Sequence, residues 1–146
     1  MNKHKQGFTL IELAIVVAVI SVLAAIAIPN LVRARMTSNE AAAISNLRTI
    51  SASQVQFRQA IGRYAASFDE LLVPPSGPAF LEGNWTITKS GYNYTLVGVG
   101  NDYAANANPE VVDTTGTRAY CVNSTNLIRY VDGEGPADVT STPLDE

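Results

Sequence analysis

The clearest pattern in this sequence is a long apolar run near its start. From Phe8 to Ile28 the only clearly polar residues are Thr9, Glu12 and Ser21. At a rise of about 1.5 Å per residue, a helix of that length crosses the hydrocarbon core of a bilayer. The pattern therefore predicts a membrane-spanning helix over the whole run.

The run could instead be the apolar region of a secretory signal peptide, but two features oppose that interpretation. It is longer than an ordinary apolar signal region, and Ile28-Pro29-Asn30 follows it in place of a small-residue cleavage site. The glycine that could serve as a cleavage site, Gly7, stands before the run. We therefore expect residues 8–28 to remain in the mature chain.

Helical periodicity resumes directly after Pro29, so we expect the helix to continue over residues 29–62 with a kink at the proline. A proline inside a helix removes one backbone hydrogen bond and clashes with the preceding turn. Two alternatives are a helix that stops at Pro29 and two helices that meet at Ser38-Asn39, which are suitable N-cap residues. Gly62 is a suitable terminator. Apolar positions recur mostly every three or four residues and predict one buried face: Ile44, Leu47, Ile50, Phe57, Ile61 and Tyr64.

Beyond this helix the pattern changes to loops and short strands. Ser67-Phe68-Asp69-Glu70 fits a capping box, which predicts one short helical turn in a connecting loop over residues 63–83. Residues 85–88 and 92–97 are rich in strand formers. Lys89-Ser90-Gly91 stands between them and predicts a turn that joins them as a hairpin.

A second hairpin is predicted further along the chain, from residues 118–122 and 127–131. Residues 100–116 are rich in Asn, Asp, Gly and Thr and are expected to form a long surface loop between the two hairpins. Together the hairpins predict an antiparallel sheet over residues 84–132, and the polar stretch 133–146 is expected to be a flexible tail. The fold class is thus α+β, a long N-terminal helix packed on a small antiparallel sheet.

Composition limits the chain to one modest domain in addition to the apolar helix. It has 146 residues, 47% of them hydrophobic, and a formal net charge of −3. Lys3 and Lys5 precede the apolar run, so the rest of the chain is more acidic than the whole. An acidic surface repels a phosphate backbone, and we expect no nucleic-acid partner.

The sequence offers little for catalysis or metal binding. Its only cysteine, Cys121, lies in an apolar stretch and is expected to be buried, and its only histidine, His4, precedes the apolar run. We therefore expect no enzyme and no cofactor. Asp132, Glu134 and Asp138 form a weak candidate site for calcium, but they lack EF-hand spacing, and a solvated acidic tail is the favoured interpretation.

The N-terminus resembles that of type IV pilins and of type II secretion pseudopilins. The residues that carry this resemblance are Lys5-Gln6-Gly7-Phe8-Thr9-Leu10-Ile11-Glu12-Leu13, with Pro29 closing the apolar run. The resemblance implies that residues 1–7 are a leader, that a prepilin peptidase cleaves after Gly7, and that the new amine of Phe8 is methylated. It also implies a helical filament built from copies of the chain and other pilins.

The resemblance further implies where the chain resides. The protein would be stored in the lipid of a bacterial inner membrane, as a single-pass subunit handled by an assembly platform, with its C-terminal domain outside the cytoplasm. Lys3 and Lys5 support that orientation, whereas Arg33 and Arg35 on the other side weaken the charge asymmetry. The orientation therefore depends on the resemblance as well as on charge.

Two arguments point to a role for Glu12: the cost of a charge in a membrane helix and the family resemblance. A carboxylate inside a membrane helix costs a few kcal/mol on the lenient insertion scales and usually has a partner. One interpretation is that Glu12, only four residues after Phe8, reaches the headgroups and water. The other pairs Glu12 with the amine of Phe8 on a neighbouring copy, which neutralises both charges and sets the axial stagger.

These expectations lead to a structural subunit of a type IV pilus-like filament. A major-type pseudopilin of a type II secretion system is the alternative, because the two classes share this N-terminus. A membrane-anchored periplasmic binding domain is a further alternative from another class. It has no use for an acidic residue such as Glu12 near the end of its anchor, or for a cleavage site at Gly7-Phe8.

Overall fold

The computed structural model describes residues 8–133, 135, 137–138 and 140–144. Its strands form one sheet in which they neighbour one another in chain order, and each neighbouring pair is antiparallel. The predicted α+β class, a long helix with a small antiparallel sheet, is confirmed. In chain order the elements are α1 (Leu10–Ile61), α2 (Phe68–Leu72), β1 (Tyr92–Val99), β2 (Asp102–Pro109), β3 (Arg118–Asn123), β4 (Arg129–Asp132) and β5 (Thr142–Pro143).

The chain divides into two compact units, one that ends at Ala34 and one that begins at Arg35. In the described part of the first unit, every large apolar side chain from Phe8 to Val32 is exposed. Helix α1 continues through Pro29, so the alternative of a helix that stops there is wrong, and the kink stays a prediction.

In the second unit, one face of α1 packs on the sheet. Ala43, Leu47, Ile50 and Phe57 are fully buried, and the last three of these were predicted from the helical spacing. Of the other predicted positions, Tyr64 is buried just beyond the helix, whereas Ile44 and Ile61 are only partly buried. The alternative of two helices meeting near residues 38–39 is wrong, because α1 is continuous there. The sheet supplies the other half of the core through Tyr92, Tyr94, Leu96, Tyr103, Ala105, Ala107, Tyr120 and Val122.

Helix α1 ends at Ile61, and the glycine that follows, Gly62, explains why. Gly62 has a φ of 89°, and its N–H donates a hydrogen bond to the Arg58 carbonyl at 2.8 Å. This left-handed conformation suits a residue without a side chain and satisfies one of the last free carbonyls of the helix. Gly62 is therefore the helix terminator, as predicted.

The expectation of a long loop over residues 100–116 is wrong. Strand β2 occupies Asp102–Pro109 and pairs with β1 along its whole length. Asn and Ala are poor strand formers, so composition alone indicated a loop. The burial of Tyr103, Ala105 and Ala107 alternates with less buried neighbours, and the small alanines fill the space beneath α1.

The first predicted hairpin is only partly formed. Ser90 and Gly91 make the expected turn, and the backbones of Lys89 and Tyr92 exchange two hydrogen bonds, of 2.9 and 3.0 Å. Residues 85–88, however, are not a strand. Instead Trp85 stacks on the Phe68 ring, with 5.6 Å between the ring centroids.

The second predicted hairpin is present as β3 and β4. The described tail differs from the flexible segment that the sequence predicted. Thr142–Pro143 pairs with β4 as strand β5, the Leu144 N–H donates to the Ile128 carbonyl at 2.9 Å, and Ala137 is buried. Tertiary hydrogen bonds hold this segment even though its composition is that of a loop.

The predicted capping box at the start of α2 is wrong in its detail. Ser67 occupies the N-cap position but makes no capping hydrogen bond through its side chain. Glu70 reaches back one residue further, to the Ala66 N–H at 2.9 Å, and forms an ion pair with Arg63 at 2.7 Å. These two contacts hold the pKa of Glu70 below its usual value, the bond from Arg63 being the larger cause.

Candidate functional site

The first turn of α1 is closed by a capping box that consists of Thr9 and Glu12. The Thr9 carbonyl accepts the first helical hydrogen bond, from the Leu13 N–H at 3.2 Å, so Thr9 is the N-cap. Its hydroxyl accepts from the Glu12 N–H at 3.2 Å, and the Thr9 N–H donates to Glu12 Oε2 at 2.8 Å. Two backbone donors that the helix leaves free are thereby satisfied.

This geometry gives Glu12 a role within its own chain. Thr9 also donates its hydroxyl proton to Glu12 Oε2 at 2.7 Å. Both hydrogen bonds from Thr9 to the carboxylate therefore use the same oxygen. Glu12 Oε1 takes no part in them and is the oxygen that a second donor would meet. Thr9 was not predicted as a site residue, although Thr-x-x-Glu before an apolar run is the sequence signature of a capping box.

Phe8 lies one residue before the N-cap and is 93% exposed. The N-terminus of a helix carries a partial positive charge, which disfavours a second positive charge beside it. An amine created at Phe8 would therefore need a nearby carboxylate, and Glu12 lies in the first turn of the same helix. Gly7, the other residue of the predicted cleavage site, lies outside the described residues.

The rest of the site is the stretch of residues 8–32, here called the apolar segment, nearly all of which lies in α1. Fully burying a large apolar side chain is worth about 1.5–3 kcal/mol, and the segment leaves every one of its large apolar side chains exposed. In the described part of the chain, α1 is the one helix long and apolar enough to cross a membrane. Burial of these side chains in an apolar environment would therefore be strongly favourable.

Pro29 lies inside this apolar segment and within α1. Because it has no N–H, it leaves one carbonyl of the preceding turn without its helical donor. Its side chain is exposed, like most of its neighbours in the segment. The assembly role predicted for Pro29 stays a prediction.

Two of the three weak calcium candidates, Asp132 and Asp138, lie among the described residues. Asp132 pairs with Arg118 at 3.2 Å, and Asp138 accepts hydrogen bonds from the Thr140 backbone and hydroxyl at 2.8 and 2.7 Å. Glu134 lies outside the described residues. Within the described ranges, no three acidic, histidine or cysteine side chains are grouped as metal ligands would be.

Cys121 is buried and unpaired, as predicted. Its Sγ lies 3.4 Å from the Asp138 carbonyl, beneath the C-terminal segment. Burial raises the pKa of the thiol, which lowers the fraction present as the reactive thiolate. The environment of Cys121 is thus that of a small apolar core residue.

The described chain thus combines a capped helix, whose exposed apolar segment is long and apolar enough to cross a membrane, with a small antiparallel sheet, and this is an α+β layout. Comparison with known proteins narrows this class. Residues 2–28 match the family described as the prokaryotic N-terminal methylation motif.

Two curated proteins share part of the sequence. Over 74 residues the chain is 42% identical to the type IV major pilin protein PilA of Myxococcus xanthus, covering 51% of this chain and 34% of that protein. Over 38 residues it is 55% identical to the type IV wide pilus major component PilA4 of Thermus thermophilus, covering 26% of this chain and 29% of that protein. The matched regions thus span about a third of each relative. Over part of its length the chain is therefore similar to two type IV pilus proteins, and its N-terminus matches the methylation motif.

Proposed function

We propose that this chain is a structural subunit of a type IV pilus-like filament, cleaved after Gly7 and N-methylated at Phe8. The observation that carries the proposal is the apolar segment, whose large apolar side chains are all exposed and whose first turn contains an acidic residue in a capping box, Glu12. In this proposal the chain is stored in the inner membrane by that segment and then polymerises through it. Its function is assembly rather than catalysis.

The physical basis of this cycle is that the apolar segment has two comparable environments. In lipid its side chains contact acyl chains, and in a filament they contact the same segment of neighbouring copies. Transfer between two apolar environments avoids the cost of about 0.8 kcal/mol for each CH₂ group moved into water. An assembly machine would therefore need to supply far less work than extraction into water demands.

Glu12 would give the filament its stagger. Thr9 occupies Oε2, so Oε1 is available to the amine of Phe8 on a neighbouring copy. In a core without water each charge is costly alone, and a register that separates them leaves both unpaired. The pairing therefore favours one axial offset between copies.

The remaining partners follow from the same proposal. A prepilin peptidase would cleave and methylate the chain, an inner-membrane assembly platform would add it to the filament, and other pilins would join it there. The domain that begins at Arg35 would lie outside the cytoplasm. The family match over residues 2–28 and the similarity to two type IV pilus proteins support the proposal from which these partners and this topology follow.

A second candidate is a pseudopilin of a type II secretion system. The observation that favours it is the single cysteine, Cys121, because many type IV pilins close their C-terminal region with a disulfide. Here strand β5 and the hydrogen bond from the Leu144 N–H to the Ile128 carbonyl hold the segment without a covalent link.

The decisive experiment is the intact mass of the protein purified from membranes. We expect a chain that starts at N-methylated Phe8. A Gly7→Val variant, and the unchanged chain in a host without prepilin peptidase, should both keep the leader and form no filaments. A native protein that retains residues 1–7 and stays monomeric in lipid would favour a plain membrane anchor for a binding domain.

A further inference from the structure

Strand β1 has an open stretch along the edge that faces away from β2. The backbone of Tyr92 bonds to Lys89 on that edge, and the Gly98 N–H donates to the Ala66 carbonyl at 3.1 Å. Backbone groups alternate in direction along a strand, so those of Tyr94 and Leu96 point to the same edge. Among the described residues, these groups of Tyr94 and Leu96 have no hydrogen-bond partner.

The turn before β1 already sets the register of a further strand. Ser90 and Gly91 have φ values of 51° and 72°, the conformation of a two-residue hairpin turn of type I′. The Thr88 hydroxyl donates to Asn93 Oδ1 at 2.8 Å, as expected for the next residue pair in that hairpin. Continuing this register places residue 87 opposite Tyr94 and residue 85 opposite Leu96.

Residues 85–88 have the composition that this edge requires. Trp85-Thr86-Ile87-Thr88 consists entirely of strand formers. In the register of the turn, Trp85 and Ile87 lie on the face of the sheet that packs on α1, as Tyr94 and Leu96 do. Trp85 is already buried, at 3% exposure, whereas Ile87 is 57% exposed and would become covered.

Contacts of Trp85 hold the segment away from the edge in the structure. Its Nε1–H donates to the Glu82 carbonyl at 2.9 Å, and Lys89 Nζ lies 3.8 Å above the centre of its ring. The alternative arrangement exchanges these local contacts for strand hydrogen bonds at Tyr94 and Leu96 and for burial of Ile87. The two arrangements thus share the same hairpin turn and differ in how far the strand pairing extends.

We propose that residues 85–88 are a sixth strand that closes reversibly onto the open edge of β1. The open form offers unpaired backbone groups to an extended segment of another chain, and the closed form covers them. Because exposed strand edges are sites of edge-to-edge association, closure would control strand contacts between copies. The proposal is independent of the filament function.

Disulfide trapping in the full chain in detergent tests the register, in a Cys121→Ala background. Thr86→Cys with Thr95→Cys joins an opposed pair of the closed form on the outer face. Thr88→Cys with Asn93→Cys is the positive control, because those side chains are already in contact. Thr86→Cys with Val97→Cys uses the same face but is out of register. We expect the first two pairs to oxidise and the third to stay reduced; equal oxidation of the 86–95 and 86–97 pairs would overturn the proposal.

Amide hydrogen exchange tests the same closure without engineered cysteines. An Ile87→Thr variant keeps the strand propensity and loses the apolar gain of closure. We expect a several-fold loss of exchange protection at the Tyr94 and Leu96 amides, and no change at the Thr95 amide, which faces β2. Unchanged protection at Tyr94 and Leu96 would count against closure even if a cysteine pair failed to fold.

Discussion

The side-chain amide of Gln54 hydrogen-bonds both backbone groups of Ala65. Its Nε2 donates to the Ala65 carbonyl at 3.0 Å, and its Oε1 accepts from the Ala65 N–H at 2.8 Å. Gln54 is fully buried in α1, and Ala65 lies just beyond the end of that helix. The Gln54 side chain thus supplies the hydrogen bonds that a helix or a strand would otherwise give to the backbone of Ala65.

The first prediction concerns this contact. Gln54→Ala leaves the buried N–H and C=O of Ala65 unpaired and opens a cavity, so we expect the free energy of unfolding to fall by about 2–4 kcal/mol. Chemical denaturation of the detergent-solubilised chain measures it. Gln56→Ala, on the exposed face of the same helix, should change stability by less than about 0.5 kcal/mol. Equal effects of the two substitutions would contradict the role of Gln54.

The second prediction concerns Gly98, which lies against the same returning segment. A Cβ atom there would overlap the Ala65 carbonyl oxygen, a backbone atom that Gln54 holds in place. Gly98→Ala should therefore lower the free energy of unfolding by about 1–3 kcal/mol, as overpacking does elsewhere. Val97→Ala, at the exposed neighbouring position, is the matched control and should have little effect. If Gly98→Ala left the free energy of unfolding unchanged, the segment around Ala65 would be able to move aside at little cost.

The third prediction separates the two roles of Glu12. Glu12→Gln keeps an acceptor for the Thr9 capping box and removes the negative charge, whereas Glu12→Ala removes both. Loss of one partner of a buried ion pair costs about 3–5 kcal/mol. We therefore expect both variants to insert into the membrane and to form few or no filaments, as counted by electron microscopy.

The outcomes of the Glu12 series distinguish the mechanisms. Normal filaments from Glu12→Gln, with none from Glu12→Ala, would assign the residue to the helix cap alone. Thr9→Val is the complementary variant, because it removes the hydroxyl of the cap and keeps the charge of Glu12. If the charge is what matters for assembly, Thr9→Val should retain filaments. Normal filaments from every variant would show that assembly does not depend on Glu12.

The fourth prediction concerns alkaline pH. Burial is the main cause that raises the pKa of Tyr103 and of Tyr120 from the ordinary value of 10 to about 12, and it raises that of Tyr92 as well. Above pH 10 the unfolded chain loses these protons while the folded chain keeps them, so ionisation favours unfolding. The stability from these groups is complete below pH 10 and is lost as the pH rises through 12.

Denaturation at a series of pH values checks this slope. Tyr103→Phe should flatten the alkaline loss, because one titrating group is removed, although it also loses the 3.0 Å hydrogen bond to Ser51. The ultraviolet absorbance of phenolate should show that these buried tyrosines ionise at a higher pH in the folded chain than in the unfolded chain. Phenolate formation in the folded protein near pH 10 at all positions would contradict the prediction.

Much of the fold could be predicted because it follows from local chemistry. The helical spacing of Leu47, Ile50 and Phe57 indicated the buried face of α1, and Gly62 indicated its end. The capping box of Thr9 and Glu12 also follows a local sequence pattern, Thr-x-x-Glu, although it was not predicted. Patterns of this kind are visible in sequence because they depend on the period of the helix and on contacts between residues three or four positions apart.

What the sequence by itself determined is the apolar segment, the helix and the presence of an antiparallel sheet. Only the tertiary structure decided which segments became strands. Residues 102–109 pair because α1 covers their small alanines, whereas residues 85–88, with better strand formers, stay apart because Trp85 stacks on Phe68. The C-terminal segment is likewise held by β4 rather than by its own composition. Strand formation depends on distant partners and on burial, and neither is encoded within a few neighbouring positions.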